Sequence, residues 1–173
     1  MMNRLPFMGG LVALVVVLTS CVTHEQPSSL PSTVERPTFT STVLSVTDGD
    51  TLTVWGNGTR EKVRLHGIDC PESDQSFGSQ ATQLATQLAL EKTVTVTDLG
   101  RDRYRRMLGE IVLPDGRMLN QELVRDGFCW WYRKYAPGDT TLERFETEAR
   151  EAGRGLWVEP NPVSPWEWRH RDR

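Results

Sequence analysis

The chain is constrained most by a series of five short runs with strand periodicity, interrupted once by a helical window. Phe39 to Val46, Thr51 to Trp55 and Lys62 to Leu65 are rich in Val, Thr and aromatic residues, and Thr47-Asp48-Gly49-Asp50 and Gly56-Asn57-Gly58 separate them. Gly reaches positive φ at little cost and Asp bonds to its own following backbone, so these separators predict turns and a three-stranded meander. Gly78 to Leu90 changes period, because Ala81, Leu84, Ala85 and Leu88 fall on one helical face. Thr93 to Thr97 then alternates Val with Thr, and Met107 to Leu113 supplies a fifth run before the turn at Pro114-Asp115-Gly116.

Two further helices are expected, Asn120 to Asp126 closed by Gly127 and Thr140 to Ala152 closed by Gly153. Five strands with a helix between the third and fourth match an α+β fold, a five-stranded OB-fold barrel with about three helices. That architecture often binds oligonucleotides, but a fold does not establish chemistry.

The barrel pattern begins only near Phe39. Before it, Arg4 precedes an apolar run from Leu11 to Leu18 that is too short to span a bilayer and reads as a signal peptide over residues 1–20. Leu18-Thr19-Ser20-Cys21 resembles the lipobox of bacterial lipoproteins, which makes Cys21 the expected lipidation site, with Val22 after it leaning toward the outer membrane. Residues 21–38 are rich in Ser, Thr, Pro and Gln and hold too few apolar groups to offset the entropy of ordering, so they read as a tether. The folded domain is expected over 39–160, followed by a Trp/Arg-rich tail over 161–173. Removing the leader leaves 19 basic against 23 acidic residues, a poor fit to nucleic-acid binding by bulk charge. Placement matters more than the sum: Arg101, Arg103, Arg105 and Arg106 crowd one segment, and Glu143, Glu146, Glu148 and Glu151 another. With Cys21 given to lipid, Cys70 and Cys129 remain, an even number in a compartment that permits disulfides, and they are expected to pair.

Asp50 and Asp69 lie at the ends of neighbouring strand candidates and offer the hard oxygen ligands that divalent cations favour. On its own, Asp48-Gly49-Asp50 is an ordinary turn. Pro71 fixes its own φ and pushes Cys70 toward an extended conformation, which can aim the Cys70 carbonyl and the Glu72 carboxylate at one point. Strand alternation sets Arg64 and Asp69 on opposite faces, so a bulge is expected near Gly67.

Asp48-Gly49-Asp50-Thr51, Arg64-Leu65-His66-Gly67-Ile68-Asp69-Cys70-Pro71-Glu72 and Asp102-Arg103-Tyr104-Arg105-Arg106, taken in this order, resemble the thermonuclease (staphylococcal-nuclease-like) family from about Phe39 to Trp157. Trp166-Glu167-Trp168-Arg169 resembles the tail of many bacterial members. The resemblance implies a Ca²⁺ ion held by Asp50, Asp69 and the Cys70 carbonyl. It implies Glu72 as the base that activates water, and Arg64 and Arg106 as guanidinium clamps on the phosphoryl group. Tyr104 and Tyr135 match positions near the bound nucleotide. The implied activity is hydrolysis of DNA and RNA, single strands favoured, leaving 3′-phosphate ends, by a monomer anchored through its lipid in the cell envelope. This chain departs from the family at Arg105, where glycine is usual. A positive φ there is costly for a long side chain, so the register of Arg105 and Arg106 is the weak point of the match. The alternative is a non-catalytic OB-fold lipoprotein that binds nucleic acid or envelope partners. Trp130, Trp131 and Tyr132 suit base stacking or core packing, and packing is the favoured reading for the two tryptophans.

Overall fold

A computed structural model describes residues 36–56 and 58–171. The expected leader, Cys21 and the tether as far as residue 35 lie outside the described residues. Among the described residues no helix is long and apolar enough to cross a membrane.

Strands β1 (Thr38–Asp48), β2 (Thr51–Gly56), β3 (Thr59–Leu65), β5 (Thr93–Arg101) and β6 (Met107–Val112) close a barrel in the order β1-β2-β3-β6-β5. Closure depends on the length of β1. Its first half, Thr38 to Thr42, pairs with β5, and its second half, Val43 to Asp48, pairs with β2. Register shifts between Val43 and Ser45 and between Val46 and Asp48 bend the strand so that one segment serves two neighbours. Alternation fills the interior with Val43, Leu52, Val54, Val63, Leu65, Val94, Val96, Met107 and Ile111, all buried. Helix α1 (Gly78–Ala89) lies between the third and fourth barrel strands and buries Gly78, Ala81, Ala85 and Ala89. Small residues on that face let the helix approach closely. The expected five-stranded OB-type barrel is therefore present.

Outside the barrel, β4 (Ile68–Asp69) pairs with β7 (Trp130–Trp131) in a separate two-stranded sheet. The expected bulge near Gly67 is instead a turn: β3 ends at Leu65, and Gly67 at φ 78° redirects the chain out of the barrel into β4. A Cys70–Cys129 disulfide, with Cα atoms 4.2 Å apart, ties the end of β4 to the start of β7.

Helices α2 (Leu119–Arg125) and α3 (Thr140–Glu151) fall where expected and are followed by Gly127 and Gly153 at positive φ. A 3₁₀ turn (Gly155–Val158) and a fourth helix, α4 (Pro165–Arg171), follow. Helix α4 arises within the segment read as a tail, where Pro165 opens it and Glu167 accepts hydrogen bonds from the Oγ and amide of the preceding Ser164. Trp130 and Trp131 are core residues, as the packing reading expected. Trp130 forms a second apolar cluster with Ala149, Leu156 and Trp157, against which Phe77 and Trp166 pack.

Candidate active site

The Asp48-Gly49-Asp50 turn joins β1 to β2 and is closed by the Asp50 amide donating to Asp48 Oδ1 at 3.1 Å. Only glycine fits its centre, since a Cβ on Gly49 would lie 2.8 Å from both Ala81 Cβ and Cys70 Cβ. The turn is thus pressed against α1 and the disulfide. Its Asp50 is buried and accepts from the Cys70 amide on Oδ2 at 2.8 Å and from the Thr51 hydroxyl on Oδ1 at 3.2 Å.

Arg64 is paired with Thr51 in the β2–β3 ladder, which sets it beside Asp50. Its Nη2 lies 3.0 Å from Asp50 Oδ2 and 2.8 Å from Asp69 Oδ1, while Nη1 donates to the carbonyls of Leu65 and Ile68. The turn at Gly67 brings Asp69 back to Arg64, so two carboxylates distant in sequence share one guanidinium. Asn120, at the start of α2, fastens this turn from behind. Its Nδ2 donates to the carbonyls of His66 and Gly109, and its Oδ1 accepts from the Ile111 amide.

Glu72 follows Pro71 in a loop that Gln75 closes, with the Gln75 amide donating to the Glu72 carbonyl and Gln75 Oε1 accepting from the Glu72 amide. The start of α1 passes so near this loop that a Cβ on Gly78 would sit 1.8 Å from the Glu72 carbonyl oxygen. The Glu72 carboxylate is partly exposed and meets Arg169 of α4. Arg169 Nη1 donates to Glu72 Oε1 at 2.6 Å, and Nη2 donates to Asp69 Oδ2 at 2.6 Å.

Burial raises the Asp69 carboxyl above the usual range and the Asp50 charge adds to it, against the pull of Arg169 and Arg64. Burial and the neighbouring Asp50 push Asp48 up to about 6. Burial, more than neighbouring charge, therefore sets both carboxyls above the usual range. Arg169 shows the converse: burial opposes its charge, but Asp69 and Glu72 outweigh that and hold it more firmly protonated than usual.

The second expected arginine is built differently. Asp102 organises its loop, accepting from the Tyr104 amide at 2.8 Å, the Arg106 amide at 2.9 Å and Arg106 Nε at 2.7 Å. Burial alone would raise the Asp102 carboxyl, yet these hydrogen bonds prevail and hold it below the usual range. Arg105 takes φ 65°, the left-handed conformation for which glycine is the usual residue. Val63 pairs in parallel with Met107, the first residue of β6, so Arg106 lies at the end of the loop just before that strand, and since Val63 points inward, Arg64 lies on the outer side of the barrel. Arg106 is held by Asp102 and not by the Asp50–Asp69 pair.

Tyr104 and Tyr135 are 64% and 58% exposed, enough to leave their rings open to a ligand. They belong to different surroundings: Arg103 and Arg106 lie over the Tyr104 ring, whereas Tyr135 meets Tyr132 edge-on. The sequence reading missed Asn120 and Arg169. The Ser-Pro-Trp-Glu start of α4 carried a capping signal that would have placed a helix there, but nothing local indicated what Arg169 touches.

Among the described residues no group of three or more His, Cys, Asp or Glu side chains converges as a ready metal site. The donors present nonetheless fit a hard cation. Asp50 and Asp69 reach one point, the Arg64 guanidinium, and both offer the hard oxygen ligands that a divalent ion favours.

Paired acidic and guanidinium groups thus stand together at the rim of an OB-type barrel. The family model described as staphylococcal nuclease homologue matches residues 62–159, and the chain belongs to that family. It is 46% identical over 129 residues to an uncharacterized endonuclease of Escherichia coli O157:H7, covering 75% of this chain and 84% of that protein. It is 39% identical over 144 residues to a micrococcal nuclease of Shigella flexneri, covering 78% and 83% respectively. Similarity to an uncharacterized endonuclease of Haemophilus influenzae runs over 174 aligned residues at 33% identity, covering 100% of this chain and 89% of that one.

Proposed function

We propose that this protein is a Ca²⁺-dependent endonuclease that hydrolyses DNA and RNA in the cell envelope, anchored by lipid at Cys21. The observation that carries the catalytic reading is the sharing of Arg64 Nη2 by Asp50 and Asp69, with Glu72 three residues further on and tied to Asp69 through Arg169. A binding module has no need of two buried carboxylates facing a clamp arginine.

Asp50, Asp69 and the Cys70 carbonyl would hold the ion. When bound, it supplies Lewis-acid polarisation of a phosphoryl oxygen. Glu72 takes a proton from water as the water oxygen attacks phosphorus, and the bond to the 5′-oxygen breaks, that oxygen taking a proton from solvent to leave as a 5′-hydroxyl beside a 3′-phosphate end. Arg64 and Arg106 donate paired hydrogen bonds to phosphoryl oxygens, which suit a planar guanidinium better than an ammonium. Tyr104 and Tyr135 offer exposed rings for bases, and unpaired strands present their faces to such rings most readily.

The test is digestion of single-stranded and duplex DNA and of RNA with and without Ca²⁺ after chelation. Activity is expected only with the ion, and Glu72→Gln should lower turnover by about 10² or more while Ca²⁺ binding persists. Undiminished turnover in that variant would remove Glu72 from the mechanism. Cys21→Ser should release the protein from membranes with its nuclease activity intact, and persistent membrane association would refute the anchor.

A further inference from the structure

Arg169 lies about 100 residues from the carboxylate it binds, and its aim is set by the packing of α4. Trp166 stacks on Tyr132 with ring centroids 5.1 Å apart and planes 5° from parallel, and meets Trp130 edge-on at 5.6 Å. Gln75, in the loop that carries Glu72, donates to the Val163 carbonyl just before the helix at 2.6 Å. Arg169 follows Trp166 by three residues and so shares its face of the helix. Docking the tryptophan therefore delivers the guanidinium to the carboxylates.

The two ends of this bridge differ in strength. Glu72 is 40% exposed and Arg169 39% exposed, so their contact is screened and contributes little. Asp69 is only 2% exposed, so its contact joins Arg169 to a buried charge with few other partners. Charge also limits what could replace Arg169. Asp50, Asp69 and Glu72 carry three negative charges when ionised, and Arg64 and Arg169 offset two of them. A divalent cation in place of the second guanidinium would offset all three, whereas a monovalent ion would gain nothing over Arg169.

We propose that α4 is a built-in gate, in which Arg169 acts as a tethered cation that a divalent ion must displace from Asp69. This rests on the Ca²⁺ reading above. The gate makes the enzyme inactive at low Ca²⁺ by competition within one chain. It also couples ion binding to movement of the C-terminal helix, because the displaced guanidinium is attached to the Trp166–Tyr132 stack.

The test is calorimetric titration of the full-length protein with CaCl₂ in the absence of nucleic acid. Arg169→Ala is expected to bind Ca²⁺ about tenfold more tightly than wild type, a difference of about 1.4 kcal/mol. Arg169→Lys, which keeps the charge but loses the two-pronged contact, should tighten binding by less than Arg169→Ala does. Trp166→Ala leaves every charge in place but removes the dock, and should also tighten binding. Circular dichroism checks that each variant is folded, and Arg169→Gln replaces the alanine variant if that one is not. Ca²⁺ binding that is unchanged or weaker in Arg169→Ala overturns the gate and leaves the nuclease reading standing. Absence of Ca²⁺ binding in both wild type and Arg169→Ala overturns the metal reading and the gate with it.

Discussion

The two arginines proposed to clamp the phosphoryl group are supported in opposite ways. Arg64 sits in the β2–β3 ladder, and its contacts reach Asp50, Asp69 and two backbone carbonyls in the buried seam between the barrel and the β4–β7 sheet. Arg106 stands at the end of an exposed loop that one residue, Asp102, folds upon itself. In the first region function and fold share the same contacts, and in the second they separate. A buried site tolerates little change because removing one partner strands the others, whereas a locally closed loop can accept an unusual residue such as Arg105 at the expense of local strain alone.

This contrast is exposed most sharply by paired alanine variants. Arg64→Ala and Arg106→Ala should each lower turnover by about 10² to 10³ under saturating Ca²⁺, the range for removing a preorganised donor. Only Arg64→Ala should also destabilise the fold, by about 3 kcal/mol in denaturant titration, since it leaves Asp50 and Asp69 facing each other. Equal stability losses in the two variants would break the comparison. Arg105→Ala should be mild in turnover, and a crippled Arg105→Ala beside a healthy Arg106→Ala would show that Arg105 is the clamp.

A smaller effect is expected from Arg105→Gly, which relieves the left-handed conformation at φ 65°. Thermal unfolding should show stabilisation of up to about 1 kcal/mol, less the entropy that glycine loses on folding, with turnover preserved. Destabilisation would mean that the Arg105 side chain makes contacts that hold the loop.

The smallest effect concerns pH. The Asp102 carboxyl is held below its ordinary value in the folded protein. Its contribution to stability is therefore complete above the unfolded value of about 3.9 and is lost as pH falls through the folded one. Asp102→Asn should flatten the acid limb of the stability curve below about pH 4 and leave it unchanged near pH 7 in slope. An unaltered acid limb would remove Asp102 as the organiser of the loop.

Much of this molecule was legible in the chain because the signals are local. The Val/Thr alternation of β5, the Ala81–Ala85 face of α1 and the glycines after α2 and α3 report backbone conformation within a few residues. The positive φ at residue 105 was legible only through the resemblance, because glycine is usual at that position in the family. Gly67 was read less well. A glycine that turns a chain into a new sheet and one that marks a bulge within an old strand look alike until the partner strand is known, and here the partner is Trp130–Trp131.

The sequence by itself determined the strands, the main helices, the turn chemistry and the identity of the acidic and arginine residues, since each depends on neighbours within a turn or a strand. The even cysteine count and the resemblance pointed to the Cys70–Cys129 and Asp50–Asp69 meetings, but tertiary structure decided through which contacts the groups meet. The sharing of Arg64 by Asp50 and Asp69, the support of His66 by Asn120, the Cys70–Cys129 bridge and the return of Arg169 to Asp69 all join segments far apart in the chain. Such meetings follow from closing the barrel and docking aromatic faces, where the energy lies in burial summed over many residues. No single stretch of sequence carries that sum, so the tail read as an appendage became, once Trp166 found Tyr132, part of the site.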